Sequence, residues 1–430
     1  MQRRCPRALS LMFVAIVLLP LVGTRLPAQE KPTDWPQYRG PGGLGISTEK
    51  GLPITWSQKE NLAWKTELPG PGASSPIVIG QRVFLTCYTG YGVANQKGDL
   101  AQLKRHVLCL NRGDGKVLWN KAVEAKQPES DRVREHGYAA STPAADGERL
   151  YVFFGKSGVF AFDHDGKQLW NADVGSTLNG WGSAASPVLF KDLVIVNASV
   201  ESESLVALNK NTGKEVWRAK GIKESWSTPL LVTAQGGKSE LVVPIQGKLL
   251  GFDPDSGNAL WSCATDIGWY MVPGLVAQDG IVYCIGGRSG GALAVRAGGK
   301  GDGTKTHRLW TGKKGSNVSS PVFHDGHLYW MHDTLGTAYC AEGKTGKIVY
   351  EERLAKAGQV YASAVLADGK LYYVTRDGSC YVLAAQPKFQ QLASNDLGEH
   401  FTIRMDASPV PSAGQLLLRS DRYLYCVGKR

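Results

Sequence analysis

The sequence contains no C-x-x-C pair, no two adjacent cysteines and no stretch of helical periodicity between its apolar runs. The missing cysteine pairs exclude thiol-ligated zinc modules, and the missing amphipathic helices exclude any fold in which helices cover a sheet. Only one long apolar run exists, "ALSLMFVAIVLLPLV" from Ala8 to Val22, preceded by Arg3, Arg4 and Arg7 and followed by "LPAQE". That order is the charged, apolar, then cleavable pattern of a secretory signal, and the run is short for a membrane span. Residues 1–28 are therefore expected to be a signal peptide cut after Ala28. Cys5 lies before the run, so no lipid-acceptor cysteine stands at the cleavage site. The mature chain is expected to be exported, periplasmic or otherwise extracytoplasmic, soluble, and without a transmembrane segment.

A concentrated patch of one charge is also missing. Taking Arg3, Arg4, Arg7 and Arg25 from the 49 basic residues leaves 45 against 38 acidic, a scattered net charge of +7. Dispersed charge favours solubility and argues against nucleic acid. Seven cysteines remain, an odd number for an oxidising compartment.

What the chain has in abundance is repetition. "LNRGDGKVLW" (Leu110 to Trp119), "LNKNTGKEVW" (Leu208 to Trp217) and "FDPDSGNALW" (Phe252 to Trp261) are variants of one phrase. Its closing aromatic recurs at Trp64, Trp119, Trp170, Trp217, Trp261, Trp310, Tyr350 and, less regularly, Phe389. A second marker, a small residue usually followed by proline, opens an apolar strand at Ser75, Thr142, Ser186, Thr228, Val272, Ser320, Ser363 and Ser408. Both ladders have eight rungs. Between them the pattern is strand, turn, strand, turn, strand, turn, strand, as in "STPAADG", "ERLYVFFG", "KSGVFAFD" and "HDGKQLW". Strands such as "LVIV" (Leu193 to Val196) are apolar on both faces, so each sheet must be covered on both sides. With no helix to do this, sheets cover sheets, which predicts an all-β, eight-bladed β-propeller of four-stranded antiparallel blades over residues 61–430. The last unit lacks a strand and "NLAWKTEL" near the N-terminus lacks a unit, so the N-terminal strand should close the last blade. Residues 29–60 form an N-terminal leader.

Each aromatic is expected to wedge against the next blade. Burying an indole removes roughly 150–250 Å² from water, an upper estimate of ~4–6 kcal/mol. Ten residues earlier stand Cys109, Ala207, Gly251 and Cys340, with Cys426 in the matching place, a column of small buried groups. The spacing leaves a disulfide among Cys87, Cys263, Cys284 and Cys380 open.

The A-x-D-x-x-x-G-x-x-x-W form of these phrases, carried by Ala207, Asn209, Gly213 and Trp217, resembles the tryptophan-docking motif of pyrroloquinoline-quinone (PQQ)-like propellers, and the leader "DWPQYRGPGGLG" is similar to segments found before them. The resemblance spans residues 61–430 and makes Trp64, Trp119, Trp170, Trp217, Trp261, Trp310 and Tyr350 structural docking residues. It implies one of two activities. One is a non-catalytic scaffold binding protein partners in the cell envelope, in the manner of the BamB-like component of outer-membrane protein assembly. The other is a PQQ-dependent dehydrogenase with calcium. The dehydrogenases carry adjacent cysteines and long insertions; this sequence has no adjacent cysteines, and eight lean blades nearly use up its length and leave little for an enclosing active site, so the scaffold is the expectation: no catalytic residue, no cofactor, no metal, a monomer. Carbohydrate binding is a third reading.

In such a propeller the loops entering the innermost strands gather at one mouth of the channel. They carry His136, Tyr138, Trp181, Trp226, Trp269, Tyr270, Tyr361 and Arg404, which suit a planar or sugar-like ligand or a partner's loop. The insertion from Tyr88 to His106 should open on the same face. His324, His327 and His332 read as a surface turn, and the aspartates of "DHDG" and "DPDSG" as turn caps, not calcium ligands.

Overall fold

The computed structural model describes Met1, Gln2 and residues 34–134, 136–288, 290–399 and 403–429. The chain divides into Met1–Glu30 and Lys31–Arg430. The expected signal peptide, apart from its first two residues, lies outside the described residues.

Eight sheets make up the second unit, each built on four antiparallel strands. Their innermost strands, which number the blades 1 to 8, are Ile77–Ile79, Ala144–Ala145, Val188–Phe190, Leu230–Thr233, Val276–Gln278, Val322–His324, Val365–Ala367 and Val410–Ser412. Blade 3 shows why the sequence chooses this layering. All six residues of Leu193–Ala198 are buried, because one face packs with blade 2 residues such as Tyr151, Phe153 and Trp170 and the other with blade 4 residues such as Leu241 and Val243. The cores therefore lie between blades. The eighth blade takes its outer strand from the N-terminus, with Leu62–Glu67 paired antiparallel to Tyr423–Val427. Among the described residues no helix is long and apolar enough to cross a membrane.

Two rings of contacts hold neighbouring blades together. On the outside, the indole N–H of five docking tryptophans donates to a carbonyl in the next blade's turn: Trp64 to Arg112, Trp119 to His164 and Trp170 to Lys210, each at 3.0 Å, Trp217 to Pro254 at 3.1 Å, and Trp310 to Gly343 at 2.8 Å. Trp261, expected to dock in the same way, donates instead to Glu240 of its own blade. The turn glycine makes room for the ring. A Cβ on Gly213, whose φ is +71°, would stand 2.7 Å from the Trp170 ring. Within its own sheet each aromatic faces a small residue, as in Cys109↔Trp119, Ala207↔Trp217 and Cys340↔Tyr350. All seven cysteines from Cys87 onward are free and buried.

On the inside, the marker hydroxyls form a relay. The backbone N–H of Ser75 donates to Thr142 Oγ1, that of Thr142 to Ser186 Oγ, and that of Ser186 to Thr228 Oγ1, at 2.9–3.0 Å. The relay resumes from Gly274 to Ser320, Ser363, Ser408 and back to Ser75.

Two rungs differ from expectation. The fifth inner rung is Gly274, not Val272, because Gly274 N–H makes the contact to Ser320. The outer rung of blade 7 is Ala393, which faces Val382; Phe389 lies outside that strand and packs edge-on against Tyr350.

The leader runs along the face where first and second strands join. Gly80 N–H donates to Asp34, Trp35 bridges Val78, Ile46–Ser47 adds a parallel strand beside Leu366 and Ala367, and Glu49 accepts from the amides of Ala413 and Gly414 at 2.7 Å each. Tyr38 rises into the channel, its hydroxyl 3.1 Å from Ser363 Oγ. Arg39 is buried beside it and donates to the carbonyls of Leu44 and Pro321. This end of the channel is stoppered.

Candidate binding site at the channel mouth

The opposite end is open. Because each first strand starts there and each second strand ends there, both the entry loops and the turns between second and third strands surround it. The result is a cup of about 460 Å³ lined by His136, Trp181, Trp226, Tyr270, Arg288, Asn317, His332, Asp333 and Tyr361 among others. Below it the channel narrows to about 110 Å³ between Ser75, Thr142, Ser186, Thr228 and Ser408, with Tyr38 in its lining.

Five of the expected residues meet here. Trp181 and Tyr270 have ring centroids 6.2 Å apart at 38°, and Trp226 stands edge-on to Tyr270 at 5.7 Å and 75°. Trp226 is fixed by its indole N–H, which donates to Gly182 O at 2.6 Å. Tyr361 lies under the Arg376 guanidinium, 3.8 Å from its centroid, and Arg376 is held by Asp406 at 2.8 Å. His136 completes the wall.

Three expected residues lie elsewhere. Trp269, 45% exposed, stands on the rim edge-on to Tyr270. Tyr138 is buried beneath the insertion, between Tyr88 and Tyr91, in an apolar cluster with Leu103 and Ala139. The insertion docks there through a short 3₁₀ turn, Leu100–Gln102, and a hydrogen bond from Tyr91 to Asp131 O. Arg404 is exposed in the loop entering blade 8, where its N–H donates to Asp421.

Four wall residues were not anticipated. Arg288 sits in the turn between the second and third strands of blade 5, His332 and Asp333 in that of blade 6, and Asn317 in an entry loop. The rule that placed the blade 1 insertion at this mouth applies to every blade's second turn and would have found three of them. His332 thus stands at the far end of a strand from His327. Asp333 Oδ1 accepts from Asn317 N–H at 3.0 Å and from Ser316 Oγ at 3.4 Å, which positions the wall. Asn317 Oδ1 has no protein partner.

Behind Trp181 lies a charged network. Glu201 is buried between blades 2 and 3, and burial pushes its carboxyl up to about 7, opposed by the hydroxyl of Ser183, which donates to Oε1. Its Oε2 has no protein partner and faces a cavity of about 30 Å³, space for a single water. Arg105 and Glu129 pair at 2.5 Å nearby. Ser183 links Glu201 to the loop that carries Trp181 and the Gly182 carbonyl.

The comparisons with known proteins agree on the architecture. A family described as outer membrane protein assembly factor BamB matches residues 41–177 and 103–349. The chain belongs to this family of PQQ-like propellers. No curated protein matches it in sequence. Among solved structures, BamB from Moraxella catarrhalis aligns at 14% identity with a TM-score of 0.59, covering 85% of this chain and 96% of that one. A europium-containing methanol dehydrogenase aligns at 13% and 0.65, covering 90% of each. The quinohemoprotein alcohol dehydrogenase from Comamonas testosteroni aligns at 12% and 0.67, covering 94% of this chain and 82% of that one. At these identities the likeness establishes the PQQ-like propeller fold.

Proposed function

We propose that this PQQ-like propeller is a non-catalytic binding scaffold of the cell envelope, working through the aromatic cup and its rim in envelope protein assembly. The observation that carries this reading is the cup itself: an open, aromatic recess over a stoppered channel, walled by the loops that enter the blades and the turns between their second and third strands. Open apolar recesses with aromatic anchors are where partner side chains and ligands lodge.

The rival reading is a quinone-dependent dehydrogenase, and the fold likeness favours it no less, since both dehydrogenases align at TM-scores above that of BamB. The donor set speaks against it. A calcium ion takes six to eight oxygens, whereas the cup wall offers Asp333, already engaged by Asn317 and Ser316, and the amide oxygen of Asn317. All seven described cysteines are buried and none neighbours another in sequence.

Two measurements on the mature chain decide between them. Dye reduction with PQQ, calcium and short alcohols should show no turnover; turnover would establish the enzyme. Capture of envelope proteins by immobilised chain should fall at least about tenfold when Trp181 and Tyr361 are both replaced by alanine, with thermal melting unchanged. Equal capture by the double variant would remove the cup from the function.

A further inference from the structure

Resting on the reading of the cup as a binding site, we infer that its ligand is an acidic saccharide: a uronate-type sugar ring laid on the aromatic walls, with its carboxylate held by Arg288. The walls are inclined to one another. Tyr270 meets Trp181, Trp226 and Trp269 at 38°, 75° and 79°, so it forms with none of the three the parallel faces between which a flat conjugated ligand gains most. A pyranose presents apolar C–H patches at several inclinations and hydroxyls around its edge, which suits inclined walls.

The charge in the cup selects the acid. Arg288 is exposed, with its guanidinium 5.1 Å from the Trp269 centroid and 5.9 Å from that of Tyr270. Arg134 lies 5.3 Å over Trp181. A guanidinium carries five N–H donors, so Arg288, which also hydrogen-bonds the Tyr270 side chain, keeps others with which to bind a planar anion two-pronged. Among the described residues neither arginine has a carboxylate partner, while Asp333 in the cup wall is committed to Asn317 and Ser316, and Asp406 in the channel below to Arg376. The spare charge is positive, and a cationic ligand is disfavoured.

Hydroxyl groups have places to go. Asn317 Oδ1 is an acceptor without a donor. Beneath the cup, the hydroxyls of Thr142, Ser186 and Ser408 each accept a backbone N–H and keep their own proton to donate into the channel. Aromatic walls above, polar floor below and an anchoring arginine at the rim match one ligand class.

The test is titration of the mature chain, followed by tryptophan fluorescence and calorimetry, with tri-galacturonate, its methyl ester, maltotriose and PQQ. Tri-galacturonate should bind at least about tenfold tighter than the ester, a gap of about 1.4 kcal/mol, and added salt should narrow it. Arg288→Gln should erase the gap while leaving the ester's affinity in place; Trp181→Ala should weaken both. Equal binding of acid and ester, no saccharide binding, binding of PQQ alone, or a gap that survives Arg288→Gln would each overturn the inference. The scaffold reading is judged separately. If the Trp181/Tyr361 double variant loses envelope partners while the wild type ignores saccharides, this inference fails and the scaffold stands.

Discussion

The seam between blades 3 and 4 and the seam between blades 4 and 5 start from the same sequence phrase and end differently. At the first, Trp217 crosses to Pro254 O, over Gly257 of the next turn, and Ser186 N–H reaches Thr228 across the same joint. At the second, the turn is lengthened through Gly298 to His307, whose Gly301–Asp302 runs parallel to Trp261 and Ser262. Trp261 therefore stays at home: its N–H donates to Glu240 of its own blade at 2.8 Å, and Glu240 also accepts from Gly298 N–H at 3.1 Å. The inner relay breaks at the same joint, where Gly274 has no hydroxyl to offer Thr228. The lock is a property of two blades, a tryptophan in one and a tight glycine turn about forty residues later. Altering the later turn disarms the earlier tryptophan without changing it.

The most severe test of this comparison removes a regular seam altogether. Deleting residues 61–68 strips blade 8 of its outer strand and Trp64 of its place over Gly115. Loss of cooperative melting and association through the exposed edge are expected by calorimetry and size-exclusion chromatography; a monomer with the parent's melting curve would show that the joint bears no stress. A finer contrast sets Gly213→Ala against Gly301→Ala. Both glycines have positive φ, but a Cβ on Gly213 collides with Trp170 whereas one on Gly301 meets nothing within 4 Å. Chemical denaturation should show a cost of about 3 kcal/mol or more for the first and about 1–2 for the second, and equal costs would mean that the ring contact adds nothing beyond backbone strain.

A pH-dependent contrast concerns the polar flaw in the seam between blades 2 and 3. Burial raises the carboxyl of Glu201 to about 7, above its unfolded value, so the folded state holds that proton more tightly. Its contribution to stability is complete below the ordinary carboxylate range and is lost as pH rises through about 7. Glu201→Gln should match the parent at pH 4 and exceed it by about 2–3 kcal/mol at pH 8. A constant difference across that range would place the ionisation elsewhere.

The sequence made the ring and its closure legible because their signals are local: a turn, an indole and a small residue at fixed offsets. It misplaced rungs where the local phrase was poor, at Val272 instead of Gly274 and at Phe389 instead of Ala393. For the cup, entry loops pointed to Trp181, Trp226, Tyr270 and Tyr361, yet Tyr138 turned inward, since a neighbouring insertion offered it an apolar bed. Arg288 and Asp333 stayed hidden because they occupy ordinary turns, distinguished only by where the ring brings them. The path of the leader was unreadable for a similar reason. Its partners are backbone groups far along the chain, such as the Ala413 amide that meets Glu49, and no side-chain pattern records them.

The pairing of Leu62–Glu67 with Tyr423–Val427 also sets a timetable. The earliest strand of the wheel is synthesised hundreds of residues before its neighbour exists, so a growing polypeptide can stack seven wedges yet must keep its first strand waiting. Completion is a single late event, and a nascent product cut short at its tail would lose not one wedge but the circle.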